Sequence, residues 1–452
     1  MVFLCIAFGM VWRLVPHPAV IIVLSILPLG ILYVLYAPFI MVLFFVIFSF
    51  FRIHEVIPQL YPLKIPLMLS LGALFALVWH IGITQKIKVF MRPEMKVMLT
   101  FYILAIVGIV FASNIGIAIA NFKSIVWKVL LMTFAIIWLV KTEKQLTFTL
   151  RSIVISGLIV AFKAISNKLS GIGMVEETRV TIGRDIGSAL GDPNDLSLVL
   201  MFPTAFALGV VLQPGTGKLW KILSLIAAGA LSTSVVWGTQ SRGGLLGVLA
   251  VFGIFAYRRI KNKLVFFIGA PVAVAILYVA AGISDRKSGG AAEDGVDASA
   301  MGRIYAWQAA FGMAVHNPLT GVGLDNFYSN YFFYSPHWDG LNHAVHSTWF
   351  QVMAETGFLG FTVFITMIIF IIRTALRTLK IVTENKESIS PNILALSEAT
   401  LAGFIGTLAS ATFLTFGFTW PIYILAALIS ATAHWADTNV VKSNFSPKKL
   451  EK

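Results

Sequence analysis

Apolar residues along this chain fall into long blocks separated by short polar or basic breaks. The blocks lie near 19–36, 39–51, 66–82, 97–112, 125–140, 146–162, 196–212, 219–237, 243–257, 264–281, 348–372, 393–418 and 422–435, with 2–10 as one further short piece. Several reach the roughly 20 residues that a helix needs to cross a bilayer. The expected fold is all-α, a polytopic transmembrane bundle, with Pro16, Pro38 and Pro58 interrupting its first third. One integral membrane domain, 1–452, accounts for the whole pattern, without an internal repeat or a soluble unit.

Composition strengthens this reading. Only 12% of the 452 residues are charged, against roughly 25% in a soluble domain, and the mean hydropathy is +0.87. The 36 Phe and 11 Trp suit lipid-facing helices and interfacial belts. A net charge of +14 raises the question of nucleic acid. In a membrane protein, however, Lys and Arg gather in cytoplasmic loops, so no nucleic-acid partner is inferred. Cys5 is the sole cysteine, which excludes an internal disulfide and a cysteine metal cluster. The first apolar stretch holds Arg13 and Pro16 and reads as an early membrane segment, not a removed signal peptide.

Orientation comes from the basic clusters. Lys86, Lys88, Arg92 and Lys96 form one, Arg258, Arg259, Lys261 and Lys263 a second, and Arg373, Arg377, Lys380 and Lys386 a third; Lys442, Lys448, Lys449 and Lys452 close the chain. With all four in the cytoplasm the blocks alternate, both termini are cytoplasmic, and the span count is even, about 12 to 14. Two long polar segments then lie outside, 166–195 and 283–345. Loops of that length are usually functional. In the second, the small and acidic run from Ser288 to Gly295 reads as mobile, and 304–314 reads as a short amphipathic helix along the outer face.

The cations that break the topology rule carry the chemical information: Arg179, Arg184, Arg242 and Arg303 all map to the outer side. Arg242 sits in Gly238-Thr239-Gln240-Ser241-Arg242-Gly243, where only a tight turn fits between two blocks. A cation at such a depth is costly and points to function, the alternative being an interfacial arginine with its stem in lipid. Several arginines on one face suit a diphosphate, because guanidinium binds phosphate oxygens in pairs and stays charged. Asp192 or Asp195 can instead neutralise one of them. His346 precedes a long block and, as a neutral imidazole, can take a proton from a sugar hydroxyl; a helix cap is its alternative role. Ser347 is the expected cap of that helix. His343 and His346 have helical i, i+3 spacing, but no third metal ligand is identifiable. The aromatics Tyr328, Tyr331, Phe332, Phe333, Tyr334 and Trp338 form either a sugar platform or an interfacial belt.

Four motifs in order resemble those of the O-antigen ligase superfamily. They are Gln240-Ser241-Arg242-Gly243, Arg303-x-x-x-Trp307, His316-Asn317-Pro318-Leu319-x-Gly321-Val322-Gly323-x-x-Asn326-Phe327, and His346-Ser347-x-x-Phe350-Gln351-x-x-x-Glu355-x-Gly357. The first third is similar to ligases associated with exosortase systems. The resemblance implies a glycosyltransferase in the bacterial inner membrane, with its active site on the periplasmic side. It would transfer a glycan from undecaprenyl pyrophosphate to a hydroxyl of lipid A–core, as a monomer, inverting the anomeric centre with no metal or other cofactor. By motif position Arg242, Arg303 and His346 are the implied catalytic residues. Arg179, Arg184, Asp192, Gln240, Tyr305, Trp307, Asn326 and His343 are the expected substrate-binding set. The superfamily also holds O-antigen polymerases and protein O-oligosaccharyltransferases, and Gln240 matches a glutamine of the latter. A lipid-glycan flippase is the non-enzymatic alternative, but it would place its charges near the bilayer midplane and not at one face.

Overall fold

A computed structural model describes residues 18–280 and 298–441, apart from 339. The helices are, in chain order, α1 (Pro18–Tyr36), α2 (Pro38–Phe50), α3 (Ile65–Gly82), α4 (Pro93–Gly108), α5 (Ile115–Leu139), α6 (Glu143–Leu169), α7 (Pro193–Leu212), α8 (Lys218–Thr239), α9 (Arg242–Arg259), α10 (Lys263–Ala280), α11 (Ala298–His316), α12 (Phe327–Tyr334), α13 (Thr348–Glu384), α14 (Pro391–Ala411) and α15 (Trp420–Ala436). One short antiparallel hairpin, β1 (Met174–Val175) with β2 (Arg179–Val180), supplies the strands among the described residues. This is the expected polytopic helical membrane fold.

By length and composition, seven described helices can cross a membrane: α5, α6, α7, α8, α13, α14 and the segment Gln59–Gly82 that ends in α3. The α1–α2 pair, bent by 94°, makes an eighth if it is one span. The bend has a local cause. Pro38 lacks an N–H and crowds the residue before it, and Ala37 leaves the helical region with φ −126° and ψ 55°. Seven or eight is fewer than the 12 to 14 expected from hydropathy. The helices α4 and α15 have only 16 and 17 residues, and α9 carries Arg242, Arg258 and Arg259. The piece at 2–10, the run Ser288 to Gly295 and the last basic cluster lie outside the described residues.

Two further boundaries differ from expectation. The block at 348–372 continues as helix to Glu384, and the block at 393–418 stops at Ala411. Residues 412–419, between α14 and α15, form a non-spanning connector that packs on the start of α13.

The core is centred on α7 and α14, of whose membrane windows 83% and 78% are buried, against 28% for the Gln59–Gly82 span and 33% for α8. Small residues let α9 reach this centre. A side chain starting at Gly247 would stand 3.0 Å from the Gly406 carbonyl, and Ser410 Oγ donates to the Gly243 carbonyl at 2.9 Å. Where α9 and α15 finish, cations meet carboxylates. Arg259 grips Glu398 through both nitrogens at 2.7 and 2.8 Å, and Arg92 and Arg377 share Asp437 at 2.6 and 2.9 Å. Bidentate and shared pairs of this kind offset the cost of holding charge against apolar helices.

Candidate active site

At the opposite end of α9, the chain reverses from α8 in two residues. The last turn of α8 (Ser234–Thr239) is π-helical, Gln240 adopts a left-handed φ of 49°, and Arg242 begins α9. Ser241 caps the new helix by accepting from the Gly244 N–H at 3.3 Å, and it donates to Asn194 Oδ1 at 2.9 Å. Arg179 completes the latch: Nη2 donates to the same Asn194 oxygen at 2.7 Å and Nε to the Thr239 carbonyl at 2.9 Å. It is 3% exposed and stands 3.6 Å from Glu176. Expected among the substrate-binding residues, Arg179 instead ties β2, the start of α7 and the α8–α9 turn together.

The neighbouring loop divides its charges differently. Arg184 is exposed and bends back toward the Gly191 carbonyl at 3.4 Å. Asp192 caps α7, accepting from the N–H groups of Asn194 and Asp195 at 2.7 and 3.3 Å. Its carboxylate therefore sits at a helix N-terminus, where negative charge is favoured.

The segment between α11 and α13 is a structural wedge. Val322 donates to the Ala354 carbonyl at 2.8 Å and accepts from Ser113 at 2.9 Å, which pins the turn between the α4–α5 loop and α13. Gly321 (φ 63°) lies against the Ala354 carbonyl, and Gly357 (φ 68°) breaks α13 with a side-chain position 2.6 Å from the Pro318 carbonyl. Both sites need a residue without Cβ. Asn326 is fully buried: its Oδ1 accepts from Ser113 Oγ and Asn114 N, and its Nδ2 donates to the Asn114 and Leu324 carbonyls. Expected to bind substrate, Asn326 instead spends its amide on these bonds and fastens the wedge.

His346 lies just past this wedge. Residues 342–347 are not helical, so His343 and His346 are not on adjacent turns despite their spacing. His346 has a φ of 43° and is exposed to the cavity in front of it. Two anchors hold its backbone. Trp307 Nε1 donates to the Val345 carbonyl at 3.1 Å, with its ring stacked on Phe350 at 5.1 Å. Thr348 Oγ1 donates to the Leu414 carbonyl at 2.8 Å and accepts from Phe416 N at 2.9 Å. The indole of Trp307, expected to contact substrate, thus positions His346. Ser347 stands at the N-cap of α13, but its buried Oγ makes no hydrogen bond and does not cap. His343 and Tyr305 pack on Tyr331 and His337, with ring centroids 5.3 and 4.2 Å apart.

The cavity before His346 has a volume of about 390 Å³ and is also lined by Asp192, Asn194, Asp195, Arg52 and Trp420. The guanidinium of Arg303 lies 5.6 Å from the Phe413 ring centre, and Gly243, next to Arg242, packs on Phe413 Cβ. Phe413 therefore joins the two arginine-bearing turns. Burial, followed by the charges of Arg303 and His343, lowers the His346 pKa below its usual 6.5, while Asp192 acts in the opposite direction. The imidazole is consequently neutral at pH 7 and able to accept a proton. Gln240 contributes a buried Oε1 without a hydrogen bond at the same turn.

Sequence reasoning misses two parts of this site. Arg52 stands alone after α2, in no basic cluster, and the connector 412–419 has the hydropathy of a membrane span. Its scattered Thr412, Thr415, Gly417 and Thr419 are the available signal. The aromatic group also divides: Tyr331 is buried, whereas Tyr328, Phe332, Phe333 and Trp338 are exposed by 48–73%.

Residues 226–365 match the family described as O-antigen ligase (Wzy_C). That stretch contains Gln240, Arg242, Arg303, His343 and His346, but not Arg52, Arg179, Arg184 or Asp192. The chain is also similar to an exopolysaccharide production protein, ExoQ, of Rhizobium meliloti (strain 1021), with 29% identity over 201 residues. The match covers 40% of this chain and 44% of that relative, less than half of either. The matched region holds Arg242, Arg303 and His346, and over that stretch the chain is similar to the O-antigen ligase family.

Proposed function

We propose that the chain is a membrane glycosyltransferase that moves a glycan from undecaprenyl pyrophosphate to a hydroxyl of lipid A–core at the periplasmic face. The observation that carries this reading is a neutral, cavity-exposed His346 whose pKa is depressed by burial and by the neighbouring Arg303. In the proposed step the acceptor oxygen attacks the anomeric carbon as its proton passes to the His346 imidazole. The bond from that carbon to the pyrophosphate oxygen breaks, and the electron pair leaves with the polyprenyl pyrophosphate. A single displacement inverts the anomeric centre. Arg242 and Arg303 stabilise the charge that develops on the leaving group. At about 4 Å and an effective dielectric of 20, each contributes roughly 4 kcal/mol of Coulomb attraction. Asp192 acts against the lowering of the His346 pKa.

A second reading, transfer to a growing polysaccharide, is favoured by the similarity to an exopolysaccharide production protein. Incubating purified protein with a lipid-linked glycan and either lipid A–core or free glycan separates the two. Transfer to lipid A–core alone supports the ligase, and chain extension alone supports the polymerase. No transfer to either acceptor by correctly inserted protein defeats both.

A further inference from the structure

A second cavity, of about 530 Å³, adjoins the His346 cavity. The two share Ser49, Arg52, Ile125 and Trp420 as a common wall. Its charge is one-sided. Arg52, Lys64 and Lys128 line it, against the single carboxylate of Glu55. That carboxylate is already engaged, since Arg52 pairs with it and Ser188 Oγ donates to it. Lys64 and Lys128 have no ion-pair partner among the described residues; Lys128 only lies 6.0 Å over the Trp127 ring. His54, 7% exposed, also lines the cavity, with a buried Nδ1 that makes no hydrogen bond of normal geometry. Phe48, Tyr61 and Trp420 supply an apolar wall.

The cavity opens beside the first turn of α3, through Pro66 and Leu67. The flank of α3 is apolar and outward-facing, with Leu67, Met68 and Leu71 exposed by 46, 69 and 57%. In a membrane protein such a flank faces lipid. A ligand here meets lysine charge on one side and hydrocarbon on the other. Lysine binds phosphate as a compact point charge, and basic pockets beside membrane helices hold lipid head groups.

We infer that this second cavity binds a lipid-borne phosphate group next to the reaction cavity, with Lys64 and Lys128 holding the phosphate and the lipid tail lying along α3. The source of that phosphate is either an isoprenoid phosphate or a bilayer phospholipid. Its test is binding, which is read independently of transfer.

The full chain is purified into nanodiscs of phosphatidylcholine and titrated with farnesyl pyrophosphate. In a second arm it is assembled with phosphatidylglycerol, and the retained lipid is counted by native mass spectrometry. Changing Lys64→Gln together with Lys128→Gln weakens binding in one arm by roughly tenfold or more. Loss in the first arm identifies an isoprenoid phosphate, and loss in the second a phospholipid. The exposed Lys64→Gln variant alone gives a smaller loss in the same arm, a measure that does not depend on the double variant folding. Unchanged binding in both arms, with the variant eluting as the parent does, overturns the inference. If only Arg242→Ala or Arg303→Ala weakens farnesyl pyrophosphate binding, the anion sits in the reaction cavity and the second site is refuted, while the proposed transfer stands.

Discussion

At the scale of the residue, His346 links geometry to rate. A sugar hydroxyl is a poor nucleophile, and a positioned base contributes about 10²–10⁴ to such a step. His346→Ala is expected to keep donor binding and lose transfer by roughly 10²-fold or more. Equal loss of donor binding and transfer would make the histidine a phosphate ligand instead. The pH profile gives an independent check. Activity requires the neutral imidazole, so the acid limb of kcat/KM should fall below pH 6.5, in keeping with the lowered pKa. Asp192 stabilises imidazolium, and removing its charge should lower the pKa further. Asp192→Asn, which preserves a capping side chain, is therefore expected to move the acid limb to lower pH. A shift to higher pH would show that Asp192 does not act on His346 through its charge. For the arginines, Arg242→Ala and Arg303→Ala should each cost about 2–4 kcal/mol of transition-state stabilisation. Arg242→Lys should also be impaired, because a point charge does not reproduce the bidentate fork. Near-normal transfer by correctly inserted Arg242→Ala would remove the clamp from the mechanism.

At the scale of the element, the connector 412–419 decides whether His346 is in place. Thr348 fastens it by one donated and one accepted hydrogen bond, Gln351 Oε1 accepts from Gly417 N at 2.9 Å, and Trp349 Nε1 donates to Thr412 Oγ1 at 3.2 Å. Thr348 is fully buried, so Thr348→Val keeps the shape and leaves the Leu414 carbonyl and the Phe416 N–H without this partner. The expected cost is about 1–3 kcal/mol, read as a lower unfolding temperature in detergent, with reduced transfer. Unchanged stability and activity would mean that the connector is held elsewhere. This element also marks where the sequence is legible and where it is not. Long helices are legible because apolar blocks report burial in lipid. The end of α14 is not, since Phe413, Leu414, Phe416 and Phe418 are as apolar as the span before them. The catalytic candidates are legible as cations on the wrong side of a charge rule and as ordered motifs. Their division of labour is not. Arg179, Trp307 and Asn326 carry the same polar groups as ligand-binding residues, and only their hydrogen-bond partners show that they position others. Arg52, Lys64 and Lys128 escape notice because none belongs to a basic cluster: Arg52 and Lys64 stand beside helix ends, and Lys128 lies within α5.

At the scale of the whole molecule, the distribution of charge along α9 supports the proposed orientation. One end of this helix carries Arg258 and Arg259 with Glu398 as partner, and the other begins at Arg242 beside the cavity. The connectors after α9 and α13 are rich in Lys and Arg, and under the charge rule for short loops we propose that they are cytoplasmic. On the proposed orientation the His346 end, where a lipid-linked donor is proposed to bind, faces the periplasm. The assignment can be tested without any substrate. Cys5 is the sole cysteine, so Cys5→Ser gives a background free of thiols. A cysteine at Leu341, 66% exposed in the segment leading to His346, is expected to react with an impermeant maleimide added to intact spheroplasts. A cysteine at Glu387, exposed in the α13–α14 connector, is expected to react only after the membrane is opened. The reverse pattern would place the cavity in the cytoplasm and remove the periplasmic reaction. Labelling at both positions in intact spheroplasts would break the alternation of spans on which the orientation depends.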